Sequence, residues 1–115
     1  MARRPAVLVD TGPLVALFSR RDEHHEACLA ALKSLRDPLL TVWPVITEAM
    51  YLLRFSTVAQ EALWQFFLAR TLLILPLDVE DVPRLRELMR QYRNRRMDLA
   101  DAALIRVAER EKKEI

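Results

Sequence analysis

Glycine occurs once in this 115-residue chain, at Gly12, and cysteine once, at Cys28. One cysteine excludes an internal disulfide and any zinc site built from several thiolates. One glycine excludes a phosphate-cradling P-loop, whose motif requires two. No apolar run approaches the ~20 residues that span a bilayer. Arg3-Arg4-Pro5 is followed by only Ala6-Val7-Leu8-Val9 before Asp10, too little for the core of a signal peptide, so a cytoplasmic protein is expected. Charge is nearly balanced, with 18 basic and 16 acidic side chains and a net charge of +2. Nucleic-acid binding would therefore need local clustering of charge. Linkers, internal repeats and low-complexity segments are also missing.

What is present is apolar. Hydrophobic residues make up 52% of the chain, which excludes a disordered tail. A chain of this length forms one domain, here residues 1–115, and buries roughly two-thirds of its unfolded surface. The run at 6–9 is short, unbroken and β-branched, and reads as a strand covered on both faces in a parallel α/β sheet. It stops at Asp10, and Thr11-Gly12-Pro13 turns the chain into a short helix, with proline suited to its first position. Ligands of open α/β sheets bind beyond the carboxyl ends of the strands, which is where Asp10 would stand. Asp10 or Thr11 equally suits a plain helix cap.

Further strands are expected at 39–43 and 72–75, and helices at 23–35, 45–55, 58–69 and 78–92, with a last helix after Asp98. The order is β-α-α-β-α-α-β-α-α. Adjacent His24 and His25 point ~100° apart on a helix and read as solvated. Cys28 lies on an apolar stripe and reads as packing. Helix 78–92 turns Val82, Leu85, Leu88, Met89 and Tyr92 inward and carries Arg86, Arg90 and Arg93 on its other side. From Arg84 to Arg96 there are six arginines and one acid, Glu87. Such a run is usually a solvated face, but it is also this chain's best phosphate-contacting patch.

The acids carry the chemistry. Glu48 sits near the start of an almost wholly apolar helix, where the helix dipole alone would account for it. Asp98 can cap the helix that follows. Asp101, among Leu99, Ala100, Ala102, Ala103, Leu104 and Ile105, has no such account, and at i, i+3 it shares a face with Asp98. Two carboxylates on one buried face imply a cation, from arginine or from metal. Asp10, Glu48, Asp98 and Asp101 each fall at a strand end or helix start, and one shared site explains them more simply than four separate accounts. Clustered hard oxygen ligands select Mg²⁺ or Mn²⁺, which can activate water and neutralise charge in phosphodiester cleavage. The Asp-x-Asp of haloacid-dehalogenase-like phosphatases is absent at Asp10.

Val9-Asp10-Thr11-Gly12, Thr47-Glu48 and Asp98-Leu99-Ala100-Asp101-Ala102, in this order and spacing, resemble the PIN-domain family. Within it, the chain is similar to the single-domain ribonuclease toxins of VapBC-type toxin–antitoxin pairs. The resemblance runs from Val7 to the end of the chain. It implies a three-layer α/β/α fold with a short central parallel sheet, and a Mg²⁺- or Mn²⁺-dependent endoribonuclease. The implied catalytic and metal-binding acids are Asp10, Glu48, Asp98 and Asp101, with Thr11 a secondary contact and Arg86, Arg90 and Arg93 candidates for RNA. It also implies an antitoxin that blocks the site, and dimerisation. Family members continue into a further strand beside the first one, whereas this sequence stops at Ile115. The expectation is thus a PIN-like domain lacking its last strand, with an exposed first-strand edge that drives assembly into a dimer or larger. The alternative is a catalytically weak remnant that still binds an antitoxin or RNA.

Overall fold

The computed structural model describes residues 7–111. Eight regular elements follow in order. They are α1 (Thr11–Phe18), α2 (His25–Ser34), β1 (Leu39–Thr41), α3 (Trp43–Leu52), α4 (Thr57–Leu68), β2 (Leu72–Ile74), α5 (Val82–Gln91) and α6 (Leu99–Glu111). Short 3-10 turns at Val79–Asp81 and Arg93–Arg95 precede and follow α5. The fold is the α/β class expected, with the expected order of elements.

The sheet is smaller than the apolar runs imply. β1 and β2 pair in parallel, with Leu39, Leu40 and Thr41 opposite Leu72, Leu73 and Ile74. The expected first strand reduces to a parallel bridge between Leu8 and Leu40, and its residue 6 lies outside the described residues. The Val9 amide donates to the Leu40 carbonyl at 2.8 Å and the Leu40 amide to the Val7 carbonyl at 2.9 Å. The ladder then ends because the Thr41 hydroxyl takes the Val9 carbonyl, at 3.0 Å and fully buried, while Val42 already caps α3. Among the described residues β1 is therefore the middle of the sheet, and the first segment forms an edge, not the centre.

Helices cover this sheet through one apolar core. Leu8, Val9, Leu14, Leu40, Val45, Leu63, Leu72 and Leu104 belong to it. α3 starts at Trp43, two residues before the expected start at 45, and Trp43 is 55% exposed instead of sitting in a strand. Ser56 caps α4 by accepting the Ala59 amide at 3.1 Å. α5 is shorter than the 78–92 periodicity predicts. It rests on α6 through a narrow stripe at Leu85 and Leu88, which leaves Val82 and Met89 exposed. His25 is not simply solvated: its ring Nδ1 lies 2.7 Å from the Ala16 carbonyl and joins α2 to α1.

A buried ion cluster locks α5 to α6. Asp81, 2% exposed, accepts from Arg106 Nε at 2.7 Å and Arg110 Nη1 at 2.9 Å, and its carboxylate closes a capping box with Asp78. The Asp78 amide and Arg106, against the cost of burial, hold the Asp81 carboxyl below the ordinary carboxylate range, with Arg110 adding to the effect. Arg84 pairs with Glu87 and Glu109 on the same seam, so it is spent on structure.

Candidate functional site

Three chain segments bring the acids toward the carboxyl end of the sheet. The first segment leaves the ladder at Val9 and turns directly into α1. Asp10 is the cap of α1: its extended backbone (φ −86°, ψ 173°) lets a carboxylate oxygen accept the Thr11 amide at 2.6 Å. Thr11 is buried at 5% exposure, and its hydroxyl donates to Glu48 Oε2 at 3.0 Å. Thr11 thus ties the Asp10 carboxylate on α1 to the Glu48 carboxylate on α3.

Because α3 begins at Trp43, Glu48 lies in mid-helix and not in the first turn. The helix-dipole account of its position fails, since that effect fades beyond the first turn. α3 also packs against α6, whose start carries the other two acids. There Asp98 and Asp101 cap one another. The Asp101 amide donates to Asp98 Oδ1 at 2.8 Å, and the Asp98 amide donates to Asp101 Oδ2 at 3.3 Å. The sequence reading of Asp101 as a residue with no local role, on a fully buried face, is corrected: it is a half-buried capping-box partner, and Asp98 is exposed.

That cap does not neutralise the group. Partial burial, the largest cause, raises the Asp101 carboxyl above its ordinary range, and the side chains of Asp98 and Asp10 raise it further against the opposing Asp98 amide. Asp101 therefore lies within electrostatic reach of both Asp98 and Asp10. No arginine, lysine or histidine among the described residues forms an ion pair with any of the four acids. Asp81 differs in being held by two guanidinium groups, whereas the hydrogen-bond partners of the four acids are helix-cap amides and the Thr11 hydroxyl.

The donor set suits a hard divalent cation: it is all carboxylate and hydroxyl oxygen, with no cationic partner among the described residues. Among the described residues, however, no three histidine, cysteine, aspartate or glutamate side chains gather tightly enough to enclose an ion by themselves. Mg²⁺ tolerates this, since it is commonly held by one or two carboxylates with water and substrate phosphate completing the shell.

Arg86, Arg90 and Arg93 are exposed. With Pro83, Glu87 and Gln91, the first two line a shallow depression on α5. The sequence reading missed Asp81, Arg106 and Arg110. The only signal was a charged residue at i and i+4 on a helix otherwise apolar on that side.

The PIN domain family model matches residues 7–114. No curated protein matches in sequence. Among solved structures, the fold is similar to VapC20 of Mycobacterium tuberculosis, described as a sarcin–ricin loop cleaving toxin. The TM-score is 0.83 at 18% identity, covering 94% of this chain and 85% of that one. The match spans both acid-bearing ends of the chain, from the residues before Asp10 to beyond Asp101, and the chain belongs to the PIN domain family.

Proposed function

We propose that this protein is a Mg²⁺- or Mn²⁺-dependent endoribonuclease, the toxin of a toxin–antitoxin pair. The observation that carries the reading is the set of four carboxylates on α1, α3 and α6, none paired with a cationic side chain among the described residues. Asp10, Glu48 and Asp101 are half-buried without such a partner, which is costly, and strain of this kind concentrates at functional sites.

Asp10, Glu48, Asp98 and Asp101 would hold the ion, which when bound supplies charge neutralisation at a phosphodiester and a water of lowered pKa. The chain's own residues do the positioning. Thr11 fixes the rotamer of Glu48 by its hydroxyl donation. The reciprocal caps fix Asp98 and Asp101 at the head of α6. Asp101 holds its proton to higher pH than an ordinary carboxyl, so a bound cation would compete with that proton for the same oxygen. Arg86, Arg90 and Arg93 contact the RNA backbone, and an antitoxin covers the acids.

A second reading has one observation in its favour, the spacing of the acids. On it, the chain binds RNA or an antitoxin without cutting. Incubating the protein with a sarcin–ricin stem-loop and with bulk RNA, in Mn²⁺ and in EDTA, separates the two. Cleavage in Mn²⁺ that EDTA abolishes supports the nuclease. RNA retention with no cleavage in any metal supports the second reading.

A further inference from the structure

We propose that the turn joining α5 to α6, through Arg95 and Arg96, is the phosphate clamp beside the acidic cluster. The proposal rests on the nuclease reading and names the residues that hold its substrate. An acidic mouth repels RNA, so the backbone must be drawn in by cations next to the acids. Most arginines near α6 are already committed: Arg84 to Glu87 and Glu109, and Arg106 and Arg110 to Asp81. Arg95 and Arg96 are exposed, and their guanidinium groups have no hydrogen-bond or ion-pair partner among the described residues.

Chain geometry then ranks the candidates. Arg96 lies two residues before Asp98 and Arg95 three, so their Cα atoms stand within about 7 and 11 Å of that of Asp98. Arg86 and Arg90 sit back along α5, each residue adding a rise of about 1.5 Å. The turn therefore holds the backbone of both arginines within three residues of Asp98.

The backbone supplies an independent observation. Arg96 is left-handed, at φ 54° and ψ 40°, a region that L-residues with a Cβ avoid. Arg70 is also left-handed at φ 64°, but there the strain closes α4: the Arg70 amide bonds to Phe67 and the Thr71 amide to Phe66. Among the described residues, no such capping bond forms at Arg96. Its conformation delivers Asp98 to the head of α6, which glycine would do without steric cost. An arginine in a conformation that glycine adopts freely points to a use for the side chain.

The test is fluorescence anisotropy of a labelled, mixed-sequence single-stranded 20-mer RNA in EDTA, titrated across KCl, with melting curves on each variant. Arg95→Ala/Arg96→Ala should bind about tenfold more weakly. Its salt slope should drop by about 1.4, for two phosphate contacts at roughly 0.7 each. Arg86→Ala/Arg90→Ala should lose less. Arg96→Gly should melt no lower than wild type yet bind more weakly, so that stability and binding part company. Wild-type RNA binding with full affinity and slope in Arg95→Ala/Arg96→Ala or in Arg96→Gly overturns the clamp and leaves the nuclease reading standing. Wild-type protein that neither binds nor cuts RNA overturns both.

Discussion

Replacing Asp101 with asparagine should abolish cleavage and leave the metal-free protein as stable as before, or more so. The amide is nearly isosteric and its oxygen can still accept the Asp98 amide, so the capping box survives. What disappears is a negative charge facing Asp98 and Asp10. Two like charges about 4 Å apart repel by roughly 1 kcal/mol in bulk water, the value suited to the exposed Asp98. Against this, a charge lost from the first turn of α6 forfeits about 0.5 kcal/mol of helix-dipole stabilisation. The net lies between zero and about +1 kcal/mol, or a Tm rise of up to roughly 4 °C for a chain of this size. Metal separates the variants further. Mn²⁺ at a hundredfold over its Kd stabilises wild type by about 2.7 kcal/mol, near 10 °C, and Asp101→Asn should lose most of that shift. Cleavage should fall by roughly 100-fold or more, since even groups that only support metal ligands are worth 10–100-fold. Calorimetric melting with and without Mn²⁺, beside a timed RNA digest, reads all three quantities. A metal-free Tm several degrees below wild type would make Asp101 a structural acid, and an equal Mn²⁺ shift in both proteins would remove it from the metal.

Asp81→Asn should do the opposite, costing about 2–3 kcal/mol and roughly 10 °C in Tm, because it strands Arg106 and Arg110 around a buried amide. Since the folded-state pKa of Asp81 is depressed, its contribution is full above the unfolded value near 3.8 and is lost as pH falls through the lower folded value. Asp101 has a raised pKa and runs the other way: acidification first relieves its repulsion. The melting temperature of Asp81→Asn should therefore converge on wild type only in strong acid, and a constant gap down to pH 2 would contradict the ion-cluster account. Neutralising Arg86, Arg90 and Arg93 together should flatten the salt dependence of RNA binding, and an unchanged slope would leave them a solvated face. Light scattering on dilute protein should give a dimer or larger, with protection from hydrogen exchange on partnering at residues 7–9, and a clean monomer would refute assembly through that edge.

Helix order and number are plain in the sequence because the punctuation is strong: Pro13, Pro44, Ser56, Asp78 and Asp98 each stand near a helix start. The strands are legible as apolar runs but not in length. β1 and β2 pair over only three residues, and the first run, reduced to a single bridge, ends where a threonine side chain takes over a ladder carbonyl. The candidate acids stand out because each is polar in apolar company. Their local bonds do not stand out: the Thr11–Glu48 contact spans 37 residues and cannot be read from spacing. Asp81 escapes for the same reason, since its partners lie 25 and 29 residues on. The inward face of α5 was over-read because a helix resting on one neighbour buries a narrower stripe than its periodicity offers.

α2 buries none of its residues fully, and it leans on α1 across an apolar cleft of about 290 Å³ lined by Val7, Leu8, Val9, Leu32, Leu35 and Leu39. Its attachment is a few half-buried leucines and the His25 link to Ala16. Such an element opens at a small fraction of the global unfolding free energy. Its amides should exchange with solvent well before those of α3 and α6. Asp10 and Pro13 line the same cleft, and His25 ties α2 to the helix that Asp10 caps. Breathing of α2 should therefore reach the Asp10 corner of the acidic mouth first, ahead of the corners on α3 and α6.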